Sequence, residues 1–521
     1  MKASRILFSL AGGAAAMATS CAPGQKNQRP DGPPNVIIIL ADDLGYGDLG
    51  CYGARHVETP AADRLAHEGT RMNNAYATAS VSTPSRYSLL TGQYAWRRPD
   101  TDIAVGDAGM IIRPGQYTLA DVFKSAGYVT GAFGKWHLGL GETGGRQDWN
   151  APLPMGLGDI GFDYSYIMAA TGDRVPCVFI ENGMVADWDS LSPIEVSYNK
   201  PFEGEPLAKD HPELLYNLQS SVGHNMAIVN GIGRIGYMRG GGKALWKDEN
   251  IADSITVHAL NFMEQNRDKP FFIYLATNDV HVPRFPHERF RGKSGMGLRG
   301  DAIVEFDWTV GAVMDKLDEL GLTDNTLLIV TSDNGPVLDD GYQDQARELL
   351  DGHDPAGGLR GNKYTVYEAG ARVPALIRWP GHVPAGHQSE ALVSQVDIFA
   401  SLGALVGAVF PHGSAPDSRN TLSAWLGKDS AGRDYVIEQA NDRTLSVRTA
   451  DWKYIEPSNG PASYNWAPGV DLGYKKEPQL FYLSNDPAEQ QNMAHLHPEV
   501  IAWLQEILIK ERAGIAKTSE K

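Results

Sequence analysis

Asn35-Val-Ile-Ile-Ile-Leu40 is an apolar, mostly β-branched run that ends directly in Ala41-Asp42-Asp43. A strand with one wet face alternates apolar and polar residues. An unbroken run belongs to a strand covered on both faces, so this chain needs a sheet with helices on each side. Residues 128–133, 270–275 and 326–330 read as further buried strands. Residues 117–126, 252–265 and 301–320 read as helices; in the last, Ile303, Phe306, Val310, Val313, Leu317 and Leu320 recur at helical spacing. Alternating strands and helices predict an α/β sandwich, a large mostly parallel sheet between helices.

At 521 residues the chain exceeds the roughly 250–300 residues that one core usually serves. Residues 35–415 are expected to form the larger domain, with a Gly-rich, weakly periodic insertion at 139–247 that reads as pocket walls. Beyond about residue 416 the pattern changes to short strands at 434–438, 444–448, 452–455 and 480–483, then a helix at 498–512. This predicts a small C-terminal domain of antiparallel sheet plus helix, residues 416–521.

Residues 1–20 read as an export signal: Lys2 and Arg5, an apolar stretch too short to span a bilayer, then Ala18-Thr19-Ser20-Cys21. The pattern resembles a bacterial lipoprotein signal with a lipidated Cys21, followed by a flexible tether over 21–34. Ala18 stands where Leu is usual, so simple cleavage remains open. Either outcome implies an exported protein, periplasmic or anchored to the outer membrane of a Gram-negative cell. No transmembrane helix is expected after the signal. Cys51 and Cys177 either pair or remain as two buried thiols.

Lys and Arg total 46 against 63 Asp and Glu, a formal charge of -17. That excludes a general polyanion-binding surface and argues against nucleic acid as a partner. An anionic ligand must be met by a local group of cations. Candidates sit where the predicted strands end: Asp42 and Asp43, Lys135 and His137, His281, and Asp333 and Asn334. Alone, each pair reads as a turn or cap. Ligands of open α/β sheets, however, bind beyond the carboxyl ends of the strands, where all four groups would converge.

The most specific segment is Ser82-Thr83-Pro84-Ser85-Arg86-Tyr87-Ser88-Leu89-Leu90-Thr91-Gly92. Pro84 suits the first turn of a helix and Gly92 its end. Ser82 would then sit at a helix N-terminus, where free N–H groups favour an anion. With this segment the sequence resembles the type I, formylglycine-dependent sulfatases of the alkaline phosphatase superfamily, in the serine-type variant. Gly134-Lys135-Trp136-His137-Leu138-Gly139, the surroundings of His281, and Leu359-Arg360-Gly361-Asn362-Lys363 extend the resemblance from about residue 35 to about residue 510. Asn362 and Ala369 replace more usual glycines. Val447-Arg-Thr-Ala-Asp-Trp-Lys-Tyr454 carries it into the C-terminal region.

The resemblance implies that Ser82 is oxidised to formylglycine by the radical maturase of anaerobic bacteria. It implies one Ca²⁺ held by Asp42, Asp43, Asp333, Asn334 and residue 82; hard oxygen donors suit that ion. It implies that Arg86 and Lys135 hold the formylglycine hydrate, that His137 removes its proton, that His281 protonates the leaving alcohol, and that Lys363 clamps sulfate. The reaction implied is hydrolysis of sulfate esters.

The catalytic motifs do not identify the sulfated alcohol. Thr171-Gly172-Asp173-Arg174 and Gly223-His224-Asn225 look like loops of bacterial glycan sulfatases related to the galactose and N-acetylgalactosamine 6-O-sulfatases. Asp173 and Arg174 would grip an axial O4, with His224 and His353 as further substrate contacts. The expectation is exo-action on a terminal 6-O-sulfated galactose or N-acetylgalactosamine of mucin, chondroitin or keratan sulfate fragments. Alternatives are another sugar or position (3-O or 4-O galactose, 6-O N-acetylglucosamine), a phosphomonoester or phosphonate hydrolase, and a non-catalytic binder of sulfated glycans.

Overall fold

The computed structural model describes residues 32–514. The expected signal, Cys21 and most of the tether lie outside the described residues. The central sheet has ten strands: β1 (Asn35–Ala41), β2 (Thr70–Tyr76), β3 (Val129–Lys135), β4 (Tyr164–Met168), β5 (Phe179–Glu181), β6 (Met184–Val185), β7 (Phe271–Ala276), β8 (Thr326–Ser332), β9 (Ala375–Arg378) and β10 (His387–Ser394). Their order is β10-β2-β9-β8-β1-β7-β3-β4-β5-β6.

β1 is buried at all its positions, as its unbroken apolar run requires. It pairs in parallel with β7 on one side and β8 on the other; β3 joins β7, and β4 joins β3, also in parallel. β9 is antiparallel to both β8 and β2. The register brings the strand ends level: Ala41 pairs with Ser332, Leu40 with Ala276, and Ala276 with Gly134. Gly134 has φ +86°, and a Cβ there would lie 1.9 Å from the Ala276 carbonyl oxygen. Only glycine lets β3 come this close to β7 just before Lys135.

The helices are α1 (Pro60–Glu68), α2 (Ser82–Thr91), α3 (Leu119–Ser125), α4 (Ile251–Gln265), α5 (Gly297–Leu320) and α6 (Ile398–Leu405). α5 packs on α1 and α4, while α2, α3 and α6 pack together, and the two groups cover the two faces of the sheet. Ile303, Phe306, Val310, Val313 and Leu317 are the buried stripe of α5.

A second sheet, antiparallel, is built from β11 (Tyr435–Gln439), β12 (Leu445–Thr449), β13 (Trp452–Ile455) and β14 (Gln479–Tyr482). Leu504 and Leu508 of α7 (Pro498–Arg512) cover it, and Tyr94 and Val396 from the earlier chain join the same core. Lys453 on β13 is fully buried and reaches Glu368 at 3.1 Å and Glu438 at 2.9 Å. The two sheets are thus tied by charge as well as by apolar contact. Among the described residues no helix is long and apolar enough to cross a membrane. Cys51 is half-buried, Cys177 is buried, and both are free thiols.

The 139–247 stretch divides in two. Its first part continues the sheet as β4, β5 and β6; the remainder is loop with a short hairpin, Ile228–Val229 with Ile232–Gly233, and a two-stranded antiparallel pair, Glu195–Ser197 with Tyr237–Arg239.

Candidate active site

The floor of the site lies beyond the level ends of β8, β1, β7 and β3. Asp42 and Asp43 follow β1, and Asp43 turns the chain with φ 60°. The Asp43 N–H donates to Asp333 Oδ1 at 3.3 Å, and the Leu44 N–H to Ser332 Oγ at 3.1 Å. These bonds lock the ends of β1 and β8 together. α2 enters from the opposite side with every residue buried and stops at Gly92, whose φ is 62°.

Ser82, the first residue of α2, meets the strand ends. Lys135 Nζ lies 2.7 Å from each Asp42 oxygen and 2.9 Å from Ser82 Oγ. Ser82 Oγ is also 3.5 Å from Asp42 Oδ1 and 3.3 Å from Asn334 Oδ1. Arg86, one turn along α2, places Nε and Nη2 on Asp333 Oδ2 at 3.0 and 2.7 Å. Lys363 Nζ lies 2.8 Å from Asp43 and 3.1 Å from Asp340. The ligand atoms of Asp42, Asp43 and His281 fall within 4.8 Å of one another, a buried group that could hold a metal ion.

Burial pushes the Asp42 carboxyl well above its usual range, against the pull of Lys135, and the charges of Asp333 and Asp43 add to the rise. Three carboxylates so crowded favour an added cation. Apart from the His281 nitrogen, the donors available, the carboxylates of Asp42, Asp43 and Asp333, the Asn334 amide and the Ser82 hydroxyl, are hard oxygens. The residues present therefore fit a divalent oxygen-loving ion.

Burial, with Lys135 beside it, holds His137 well below the usual imidazole range. Its Nε2 lies 2.9 Å from the Ala104 carbonyl, which can only accept, so Nδ1 carries the lone pair. Nδ1 is buried without a partner among the described residues. An orphaned basic atom at this position fits a residue 82 that carries a further hydroxyl. His281 Nδ1 lies 2.6 Å from the Val282 carbonyl and Nε2 is 3.8 Å from Asp43 Oδ2. Burial, then Lys363 and Lys135, lowers its basicity. Burial opposes the charge on Lys363, but Asp340 and Asp43 overcome it and hold the ammonium charged.

Above this floor opens a cavity of ≈ 220 Å³. Ser82, His137, His281 and Lys363 face it from below; Asp173, Arg174 and His224 form one wall. Asp173 accepts from Arg174 Nη1 at 2.9 and 3.1 Å, from His224 Nε2 at 3.0 Å, and from Thr171 Oγ1. Burial disfavours its charge, but Arg174 and His224 hold it well below the usual carboxylate range. Nε and Nη2 of Arg174 make no hydrogen bond among the described residues. Gly341 makes room for this arrangement: a Cβ there would strike the His224 ring at 1.7 Å.

The family profile described as Sulfatase matches residues 34–408. This chain belongs to the sulfatase family. It is a sulfuric ester hydrolase, of a family that typically uses a metal ion and a formylglycine. It is 52% identical over 497 residues to an N-acetylgalactosamine-6-O-sulfatase of Bacteroides thetaiotaomicron, covering 95% of this chain and 96% of that one. It is 32% identical to human arylsulfatase A, covering 93% and 89%. Its fold matches the solved structure of a Bacteroides thetaiotaomicron 6S-sulfatase, reported in a study of the metabolism of multiple glycosaminoglycans. That match has a TM-score of 0.90 at 53% identity, covering 92% of this chain and 99% of that one.

The sulfatase brings together all but one of the residues singled out in the sequence. His353 is the exception, held away from the cavity. Its Nε2 lies 2.8 Å from Asp48 Oδ1, its side chain is 1% exposed, and it does not line the cavity. Arg299 closes the same buried group with two bonds to Asp48, at 2.9 and 2.6 Å. His353 is thus a structural anchor and not a substrate contact. Asp340, Tyr364 and Trp466 also line the cavity, and the sequence alone does not single them out. Tyr364 directly follows Lys363 and was within reach of the motif. Asp340 and Trp466 lie in loops without periodicity, and nothing local marks them.

Proposed function

We propose that this sulfatase removes 6-O-sulfate from a terminal N-acetylgalactosamine or galactose of glycosaminoglycan or related host-glycan fragments. The observation that carries the chemistry is the Ser82 hydroxyl at the N-terminus of α2, 2.9 Å from Lys135, on the floor of a cavity whose wall holds Asp173, Arg174 and His224. The 52% identity to an N-acetylgalactosamine-6-O-sulfatase supports the choice of substrate. A cavity of ≈ 220 Å³ is below the ~300–1,000 Å³ of drug-sized sites. It suits one terminal sugar and therefore exo-action.

Asp42, Asp43, Asp333 and Asn334, with residue 82, would hold one calcium ion, which when bound neutralises and polarises the sulfuryl oxygens. Ser82, oxidised to the aldehyde formylglycine by a serine-type maturase, would on addition of water supply the geminal hydroxyls that a lone serine lacks. Lys135 holds residue 82 beside Asp42, and Arg86 fixes Asp333. His137 accepts a proton at Nδ1, the atom left without a partner. His281, its Nδ1–H held by the Val282 carbonyl, would deliver a proton from Nε2 to the departing sugar oxygen in its imidazolium form, which the nearby Asp173 charge favours and a bound sulfate would favour further. Lys363 faces the sulfate, with Asp340 as its second anchor. Arg174 offers its unused N–H groups to a sugar hydroxyl, while Asp173 and His224 fix the guanidinium. Residues 1–21 support export to the periplasm or the outer membrane, with a lipid anchor at Cys21 in the second case. Residues 35–415 would then be the catalytic domain and 416–521 its C-terminal partner.

The test pairs peptide mass spectrometry with a panel of 6-O-, 4-O- and 3-O-sulfated galactose, N-acetylgalactosamine and N-acetylglucosamine. We expect residue 82 to be lighter by about two hydrogens, as alcohol-to-aldehyde oxidation requires, and the 6-O-sulfated galacto sugars to turn over fastest. Full activity with an unmodified Ser82 would refute the mechanism. A preference for another position or for glucose configuration would refute the substrate.

A further inference from the structure

The loop between β13 and β14 contributes nothing to the cavity floor, yet it reaches the mouth. Trp466 from this loop lines the cavity and is half-buried. One face of its ring is covered by Tyr464, with centroids 4.7 Å apart and planes 16° apart. Tyr364 meets both rings edge-on, at 5.6 Å from Tyr464 and 6.5 Å from Trp466. The Ala467 N–H donates to the Tyr464 carbonyl at 3.2 Å, so a tight turn fixes the two rings relative to each other. Arg347 Nη2 donates to the Pro468 carbonyl at 3.3 Å and ties the tip to the larger sheet unit. The loop carrying His224 runs directly against it: a Cβ on Gly223 would be 3.8 Å from the Trp466 Cβ. The Trp466 indole N–H has no partner among the described residues.

A large aromatic ring braced on one face, at the mouth of a cavity floored by charged groups, is more than packing requires. We propose that Trp466 is a substrate-binding residue, the platform on which the apolar face of the sugar ring rests. The inference builds on the reading of a galacto-configured terminal sugar. In that configuration the axial O4 leaves the other face of the ring, the C–H bonds of C3, C4 and C5, as a continuous apolar patch. Laying this patch on an aromatic face removes apolar surface from water and adds C–H···π contact. In a glucose-configured ring these C–H bonds are divided between the two faces. The polar grip and the apolar platform thus come from separate parts of the chain, Arg174 from the insertion and Trp466 from the C-terminal region, and meet at the cavity rim.

The experiment compares wild type, Trp466→Ala and Trp466→Phe, each matured to formylglycine. It uses the sulfated monosaccharide that wild type turns over fastest, with inorganic sulfate as competitive inhibitor. The first reads the whole site and the second only the sulfate clamp. Trp466→Ala should lose about 10- to 100-fold in kcat/KM, mostly through KM, the range expected for uncovering one sugar face. Trp466→Phe should stay within about 3-fold, and the sulfate inhibition constant should move less than about 2-fold in both. Unchanged kcat/KM in Trp466→Ala would overturn the proposal. So would a Phe variant as poor as the Ala variant. A sulfate constant that weakens in step with kcat/KM would also overturn it, by making Trp466 only a prop for Tyr364, Asp340 and Lys363. If wild type instead prefers a glucose-configured sugar, the substrate reading fails, while the ratio between variants still judges Trp466.

Discussion

The floor and the wall of the cavity are built differently. Most floor residues sit at the end of a regular element: Asp42 and Asp43 follow β1, Lys135 ends β3, Asp333 follows β8, and Ser82 and Arg86 lie in the first turns of α2, while Lys363 comes from a loop. The register of the parallel strands sets their mutual distances. The wall comes from loops: Asp173 and Arg174, His224, Asp340 and Trp466, held largely by side-chain contacts between residues 23, 51 and 121 positions apart. A floor on strand ends can be kept while loops are exchanged around it. In this sulfatase the floor would set the reaction, and the wall would choose the sugar.

The largest expected effect is on the floor. Asp333→Ala leaves Arg86 buried without its carboxylate and removes a proposed calcium ligand. Turnover should fall by ~10³-fold or more on every sulfate ester, with bound metal lost in elemental analysis. Chelation should do the same to wild type, with calcium restoring activity better than zinc. Activity that survives thorough chelation would detach the floor from its ion.

A smaller effect separates two floor roles. His281→Ala should cost ~10²–10⁴-fold on a sugar sulfate, whose alkoxide needs a proton as it leaves. On nitrophenyl sulfate the loss should shrink markedly, because that anion leaves unaided. Equal losses on both substrates would assign His281 to holding sulfate instead.

The smallest effect tests a residue outside both regions. His353→Ala removes a bond to buried Asp48, which keeps Arg299. Unfolding free energy should drop by ~1–3 kcal/mol in denaturant titration, while KM changes less than about 2-fold. A KM that rises tenfold in a fully folded variant would return His353 to the cavity.

The same contrast explains what the sequence discloses. The run Asn35-Val-Ile-Ile-Ile-Leu40 declares a doubly covered strand, because burial on both faces leaves an unbroken apolar signature. α5 is legible from its apolar spacing, although it begins at Gly297, before the apolar stripe does. β2 carries no such signature: Thr70-Arg-Met-Asn-Asn-Ala-Tyr76 is polar at several positions because it pairs near the sheet edge with the short β9 and with β10. Most candidate floor residues are visible because they sit at an end of an element whose pattern can be read; Lys363, in a loop, is legible only through the family motif around it. The wall leaves no such trace. His224 and Asp173 meet across 51 residues, and Trp466 reaches the cavity from the second sheet's loop. His353 is illegible for the same reason, since a lone histidine in a loop carries no local sign of Asp48 beside it.

The measurement that most directly tests the division between floor and wall uses two substrates, 6-O-sulfated N-acetylgalactosamine and 6-O-sulfated N-acetylglucosamine, on wild type and Arg174→Ala. A polar site rejects a misplaced hydroxyl because its own groups are left unpaired. Wild type should favour the galacto sugar by ~10²-fold or more in kcat/KM. Arg174→Ala should lose most of that preference, with formylglycine content and inhibition by inorganic sulfate unchanged. A variant that keeps the full preference, or one that loses sulfate binding together with it, would contradict the separation of chemistry from sugar choice.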